Sequence, residues 1–156
     1  MKDELKVRKI KDGTVIDHIK TGLGKKVVDI LSVDNIPEDV IHFPETVILL
    51  TNVASKKVGR KDIVKVENRE LKKEEVDKIA LVASNATWNT IRNYKVVKKS
   101  KLEMPDVIEG MLKCPNRKCV TNTSEPVTSK FLTDKGEPIR LRCNYCERLI
   151  DLKDVL

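Results

Sequence analysis

The four cysteines of this 156-residue chain stand as two close pairs, Cys114 with Cys119 in "KCPNRKCV" and Cys143 with Cys146 in "RCNYCE". Thiolates are soft ligands, and two short loops of the form C-x4-C and C-x2-C can turn four sulfurs toward one ion at ~2.3 Å. The pattern predicts a single structural Zn2+ held by Cys114, Cys119, Cys143 and Cys146. Four thiolates leave no coordination position for water, so such an ion holds shape and does no chemistry. Disulfides, a redox dithiol and buried free thiols are the competing readings. Disulfides suit a reducing cytosol poorly, a redox pair needs only one C-x2-C, and free thiols need no pairing at all.

Elsewhere no catalytic constellation emerges. The two histidines, His18 and His42, have no cysteine or serine nearby arranged as nucleophile and orienter. No Gly-rich phosphate loop of the Walker or Rossmann form is present, and "GLGKK" reads better as a helix start. Asp17 and His18 in "TVIDHI" are predicted to occupy opposite faces of a regular strand. Composition alone would leave them, with Lys65, Asn89, Tyr94 and Lys99, as polar residues of an exposed face.

The elements that would carry these residues follow from periodicity. "KVRKI" and "GTVIDHI" alternate polar and apolar residues around Gly13 and predict one bent strand or a hairpin. In "KKVVDILSV", Val27, Val28, Ile30 and Leu31 fit one face of a helix that closes before the Pro37 loop. "ETVILLTNVAS" and "RKDIVKVEN" predict two strands with a short Lys-Lys-Val-Gly connection. "KKEEVDKIALVASN" places Val76, Ile79, Ala80 and Ala83 at helical spacing, and "WNTIRNYKVVKKS" returns to strand character. The order strand, helix, strand, strand, helix, strand predicts an α+β sandwich of the ferredoxin-like βαββαβ type. Ser100 to Lys113, with Pro105 and Gly110, is expected to connect it to a small C-terminal β domain built around the cysteines. There Val120, Val127, Phe131, Ile139 and Leu141 sit among turn residues. The predicted domains are residues 1–100 and 101–156. A segment of roughly fifty residues buries too little apolar area to fold unaided, and the metal would supply the difference.

The formal charge is +7, and it is unevenly placed. Residues 1–100 carry 21 Lys and Arg against 15 Asp and Glu, whereas residues 101–156 carry 10 against 9. A zinc ribbon that grips a phosphate backbone concentrates cations on itself, so the anion-binding signal lies in the N-terminal half. A basic zinc-ribbon protein that binds RNA or DNA is the alternative function. Against it, the aromatic content is 3% and "RKDIVKVEN" lacks the stacking aromatics of an RNA-recognition sheet. No nucleic-acid partner is expected. No stretch approaches the ~20 apolar residues of a membrane span, and "MKDELKVRKI" is too charged for a secretory signal. No membrane partner is expected either, and the chain is expected to be cytoplasmic.

"GTVIDHI", "GRKDIVKVEN", "NYKVVKKS", "CPNRKCVTN", "EPV" and "LRCNYCE", in that order along the chain, resemble the regulatory chain of aspartate carbamoyltransferase. The resemblance implies a subunit without activity of its own. Its N-terminal ferredoxin-like domain would bind CTP as inhibitor and ATP as activator and would pair with its twin in a regulatory dimer. Its four-cysteine zinc domain would dock on the catalytic chain. It also implies effector contacts. Asp17 and His18 match the pair near ribose and triphosphate, and Lys65 matches the lysine that contacts base and ribose. Asn89, Tyr94, Val96 and Lys99 match the last strand's contacts, with Lys99 facing the triphosphate. Val7, Arg8, Lys9 and Ile10 match a strand that meets the base largely through backbone groups. The process so controlled would be the committed step of pyrimidine biosynthesis.

Overall fold

The structure, a computed structural model, describes residues 9–31, 45–57 and 59–155. Two compact units divide between Glu103 and Met104.

In the first unit, alternating burial makes the strands. In β3 (Gly59–Glu67), Asp62, Val64 and Val66 are buried while Ile63, Lys65 and Glu67 are half-buried. Along β1 (Gly13–Ile19), Thr14 and Ile16 are buried while Val15 and Asp17 are only partly covered. With β2 (Val47–Ser55), β4 (Thr87–Arg92) and β5 (Lys95–Lys101) these form a five-stranded sheet in the order β2-β3-β1-β4-β5, antiparallel throughout. Two helices supply the apolar stripes that cover one sheet face. Val27 and Leu31 of α1 (Gly24–Leu31) and Val76, Ile79 and Ala80 of α2 (Lys73–Val82) join Ile16, Val64 and Val66 in a single core, with Trp88 packed against it. Each fully buried aliphatic side chain of this kind contributes about 1.5–3 kcal/mol.

The α+β ferredoxin-like reading holds, with one addition at its end. The single strand expected over "WNTIRNYKVVKKS" is a hairpin, because Asn93 and Tyr94 both adopt positive φ, at 50° and 65°. Two such residues in succession close a tight two-residue turn whose twist suits antiparallel strands. The turn is anchored where Asn93 N donates to Asp12 Oδ1 at 3.0 Å and Tyr94 N to the Lys11 carbonyl at 2.8 Å. The strand expected over "KVRKI" falls largely outside the described residues, as do Val7, Arg8 and His42; Lys9 and Ile10 are described and lie outside any strand.

The start of α1 depends on a buried carboxylate. Asp62, fully buried, accepts from the backbone N–H groups of Gly22 and Gly24, each at 3.0 Å, and of Asn52 at 2.8 Å. A Cβ at position 24 would stand 2.9 Å from that carboxylate and 2.7 Å from the Leu49 side chain, so only glycine fits.

The second unit is a four-stranded antiparallel sheet in chain order: β6 (Val107–Glu109), β7 (Lys130–Asp134), β8 (Arg140–Cys143) and β9 (Leu149–Asp151). Ile108, Phe131, Leu141, Cys143 and Ile150 are the buried residues of its strands, and Met104, Cys114 and Cys119 are buried beside them in sequence segments outside the strands. The stretch from Ser100 to Lys113, expected as a plain connection, is largely structured. Its first residues complete β5, Leu102 belongs to the first core, and Ile108 is fully buried in the second unit.

Candidate functional site: a sheet-face cavity and a cysteine cluster

The sheet face away from the helices carries a cavity of about 480 Å3. Its axis is a row of Cα partners crossing four strands: Lys65 on β3, Val15 on β1, Asn89 on β4 and Lys99 on β5. Side chains in one row of an antiparallel sheet share a face, so register alone brings these residues from three distant sequence segments together. Asp17 pairs with Thr87 further along, and Ile91 with Val96 on the other side. Asn89 is held by its Nδ2, which donates to the Val15 carbonyl at 3.3 Å. Tyr94 and Val96 stand on the rim, 58% and 56% exposed, and are therefore free to be covered by a ligand.

Asp17 and His18 do not take the opposite faces expected of a regular strand. A bulge between Ile16 and Ile19 places His18 at φ 57°, in the left-handed region, and such an extra residue re-aims the side chains around it. Both now line the cavity. Asp17 Oδ1 accepts the His18 backbone N–H at 2.6 Å and pairs with Lys61 Nζ at 2.9 Å. His18 Nδ1 lies 3.1 Å from Thr87 Oγ1. Burial lowers the His18 pKa below its ordinary value; Asp17 opposes the shift, and Lys61, Lys57 and Lys99 reinforce it.

Every expected effector-contact residue among the described ones lines this cavity: Lys9, Ile10, Asp17, His18, Lys65, Asn89, Tyr94, Val96 and Lys99. Sequence reasoning missed Val15, Ile63, Thr87 and Ile91, which also line it. The available signal was the strand period, since each stands two positions from an expected site residue on the same strand. The volume is within the ~300–1,000 Å3 usual for small-molecule pockets.

In the second unit the four cysteine ligand atoms all lie within 4.8 Å of one another. Cys114 and Cys146 sulfurs are 3.8 Å apart, and those of Cys119 and Cys143 are 3.7 Å apart. Four ligands at ~2.3 Å around a tetrahedral centre stand about 3.8 Å from each other, so two sulfur pairs already have the separation a metal ion sets, and the others need to close by about 1 Å at most. Disulfide sulfurs would be ~2.05 Å apart, and all four thiols are free. Backbone N–H groups of Asn116, Thr121, Tyr145, Cys146 and Arg148 point at the sulfurs, and the Thr121 hydroxyl donates to Cys119 Sγ at 3.2 Å. The first loop is pinned by Asn122 Nδ2, which donates to the carbonyls of Cys114 and Asn116, both at 2.7 Å. Burial pushes the Cys114 thiol up to about 12. At Cys146 the same burial is outweighed by the Arg148 N–H, Asn116 and the neighbouring thiols, which bring it to about 7. A bound dication offsets the cost of carrying this much negative charge under cover.

The fold and the two sites define a two-unit chain with a ligand-sized cavity in one unit and a metal-binding cluster in the other. A sequence model of the allosteric domain of the aspartate carbamoyltransferase regulatory chain matches residues 5–103, and one of that chain's metal-binding domain matches residues 106–156. Aspartate carbamoyltransferase regulatory chains of Pyrococcus abyssi and Pyrococcus horikoshii are 56% and 54% identical over 153 residues, covering 98% of this chain and 97% of each relative. That of Thermococcus kodakarensis is 48% identical over 155 residues, 99% of this chain and 97% of the relative. The chain belongs to the family of aspartate carbamoyltransferase regulatory chains. It is a regulatory component and not a catalytic one. Among the described residues no helix is long and apolar enough to cross a membrane.

Proposed function

We propose that this chain binds CTP as inhibitor and ATP as activator in the sheet-face cavity and thereby sets the activity of an aspartate carbamoyltransferase catalytic chain, in the cytoplasm, at the committed step of pyrimidine biosynthesis. The observation that carries the reading is the convergence of Asp17, His18, Lys65, Asn89 and Lys99 on one cavity of nucleotide size. Its chemistry suits the ligand. Apolar Val15, Ile63 and Ile91 offer a surface for a base or sugar, the Asn89 amide and the Lys65 ammonium offer polar partners for base and ribose, and Lys99 offers a cation for phosphate oxygens. Val7 and Arg8 belong to the same proposed contact set, through their backbone.

An effector can shift the catalytic equilibrium only by binding the low- and high-activity assemblies unequally, and a coupling of ~1–3 kcal/mol corresponds to roughly 5 to 150-fold. Residues 1–100 would carry effector binding and dimer formation. Self-association is supported by the contrast between the two sheet edges. β5 presents Lys95, Lys98, Lys99 and Lys101, whereas β2 is uncharged over all nine residues, Val47–Ser55, and lysines on an edge strand discourage pairing. Residues 101–156 would dock on the catalytic chain, with Zn2+ on Cys114, Cys119, Cys143 and Cys146 holding the docking loops. Four thiolates would close the coordination shell, so the ion's contribution is structural.

The test is co-purification with the catalytic chain, followed by carbamoyl transfer assays with and without CTP. Inhibition that appears only when this chain is present supports the reading; a catalytic chain that neither binds this chain nor responds to CTP in its presence overturns it.

A further inference from the structure

His18 occupies an unusual position in the cavity. It is a non-glycine residue in left-handed backbone, at φ 57°, and its ring is fixed from the opposite strand by the buried Thr87 hydroxyl, 3.1 Å from Nδ1. With Nδ1 so engaged, Nε2 is left without a protein partner among the described residues. The charges that face the ring come from every element around it: Asp17 on β1, Lys61 on β3, Lys57 in the turn between β2 and β3, and Lys99 on β5. Asp17 is already paired with Lys61 at 2.9 Å. Burial is the main influence that disfavours the charged imidazole; Asp17 opposes it, and the three lysines add to it.

A polyanionic ligand reverses that balance. Its phosphates would neutralise the lysines and place negative charge beside a ring that has a free nitrogen. We propose that anion binding in this cavity is coupled to uptake of one proton by His18, with Thr87 as the positioning residue that holds the ring toward the ligand. The inference rests on the nucleotide reading of the cavity and adds to it a dependence on pH. The direction follows from linkage. A group whose proton affinity rises on binding makes the complex hold more protons than the free protein, so affinity increases as pH falls. Between the titration points of the free and bound states the increase approaches about tenfold per pH unit, and it flattens on either side.

The full-length chain contains two histidines, His18 and His42, so the imidazole Cε1–H resonances can be followed by NMR and assigned with His42→Gln. The experiment titrates them from pH 5 to 8.5 with and without CTP, and measures proton uptake by calorimetry in buffers of different ionisation enthalpy. The expected result is a His18 midpoint below the ordinary value in the free protein and higher in the complex. Proton uptake should be greater in the parent than in His18→Gln, a difference that cancels protons exchanged by CTP's own phosphate. Thr87→Val should diminish the midpoint shift and Thr87→Ser should restore it, whereas a merely structural threonine would leave the shift intact in both. CTP binding with an unmoved His18 midpoint and equal uptake in parent and His18→Gln overturns the proton coupling and leaves the nucleotide site standing. No CTP binding by the parent chain at any pH overturns both.

Discussion

The lysines at the two ends of the cavity row allow a quantitative test of how the site divides its labour. Lys65 and Lys99 are separated by three strand-to-strand steps through Val15 and Asn89. At ~4.8 Å per step their Cα atoms are about 14 Å apart. Lysine side chains anchored that far apart meet different parts of one nucleotide, Lys99 the triphosphate and Lys65 the base and ribose. Lys65 is half-buried, so its contact is poorly screened and its loss in Lys65→Ala should cost about 2–3 kcal/mol, or about 30 to 150-fold in CTP affinity. Lys99 is exposed, and water screens it, so Lys99→Ala should cost about 1–1.5 kcal/mol, or about 5 to 12-fold. Substitutions more than ~10 Å apart add to within ~0.5 kcal/mol when they act independently, and two lysines that touch separate ends of a nucleotide held in one pose meet that condition, so the double variant should lose about 3–4.5 kcal/mol. Calorimetric titration of the four proteins with CTP and with ATP measures this directly. Lys99→Ala should weaken both nucleotides by the same factor, whereas Lys65→Ala should weaken them unequally. A coupling energy well above ~0.5 kcal/mol, or a Lys99→Ala effect confined to one nucleotide, would refute the assignment of separate ends.

Other outcomes follow from the same geometry. Freshly purified protein should contain one Zn2+ per chain by elemental analysis, and replacing all four cysteines by serine should abolish both the metal and attachment to the catalytic chain while CTP binding persists. Separated fragments should divide the work: residues 1–103 should form a dimer that binds CTP without joining the catalytic chain, and residues 104–156 with Zn2+ should join it without conferring a CTP response, as read by size-exclusion chromatography and activity assays. Asp62→Ala should destabilise the first unit by about 3 kcal/mol or more in denaturant unfolding, since three backbone N–H groups lose a buried charged acceptor; a change below ~1 kcal/mol would mean that water replaces the carboxylate.

Much of this architecture is legible in the sequence because burial follows period. Val64 and Val66 against Ile63 and Lys65, or Val76, Ile79 and Ala80 on one helical stripe, are local patterns that need no knowledge of the fold. The cysteine cluster is legible for a similar reason, as the two spacings encode two loops of the right reach. The hairpin at Asn93 and Tyr94 was hidden because its second turn residue is a tyrosine, and the usual signal there is glycine. The His18 bulge was hidden because an unpaired residue in a strand leaves no mark in an alternation rule, so Asp17 and His18 were expected back to back. The Asp62 network ties β3 to the Gly22–Gly24 turn about forty residues earlier and to Asn52 on β2, and pattern reading cannot reach such a contact. For the cavity, the polar residues could be named from the resemblance to the family, while Val15, Ile63, Thr87 and Ile91 looked like ordinary strand residues until register placed them beside the others.

The sheet is one layer thick, and its two faces are written by alternate letters of the same words. In β1, β3 and β4 the even positions Ile16, Val64, Val66 and Trp88 belong to the core, and the odd positions Val15, Ile63, Lys65 and Asn89 belong to the cavity. Each strand therefore carries two interleaved messages that drift independently under substitution but share a reading frame. A substitution at one of these four odd positions edits recognition and leaves the core side chains in place. Loss or gain of one residue within β1 or β3 would exchange the messages, sending lysine inward and valine outward together. Insertions and deletions in this family of sequences should accordingly be confined to the turns between strands, while the odd positions are where a lineage can retune which nucleotide it answers to.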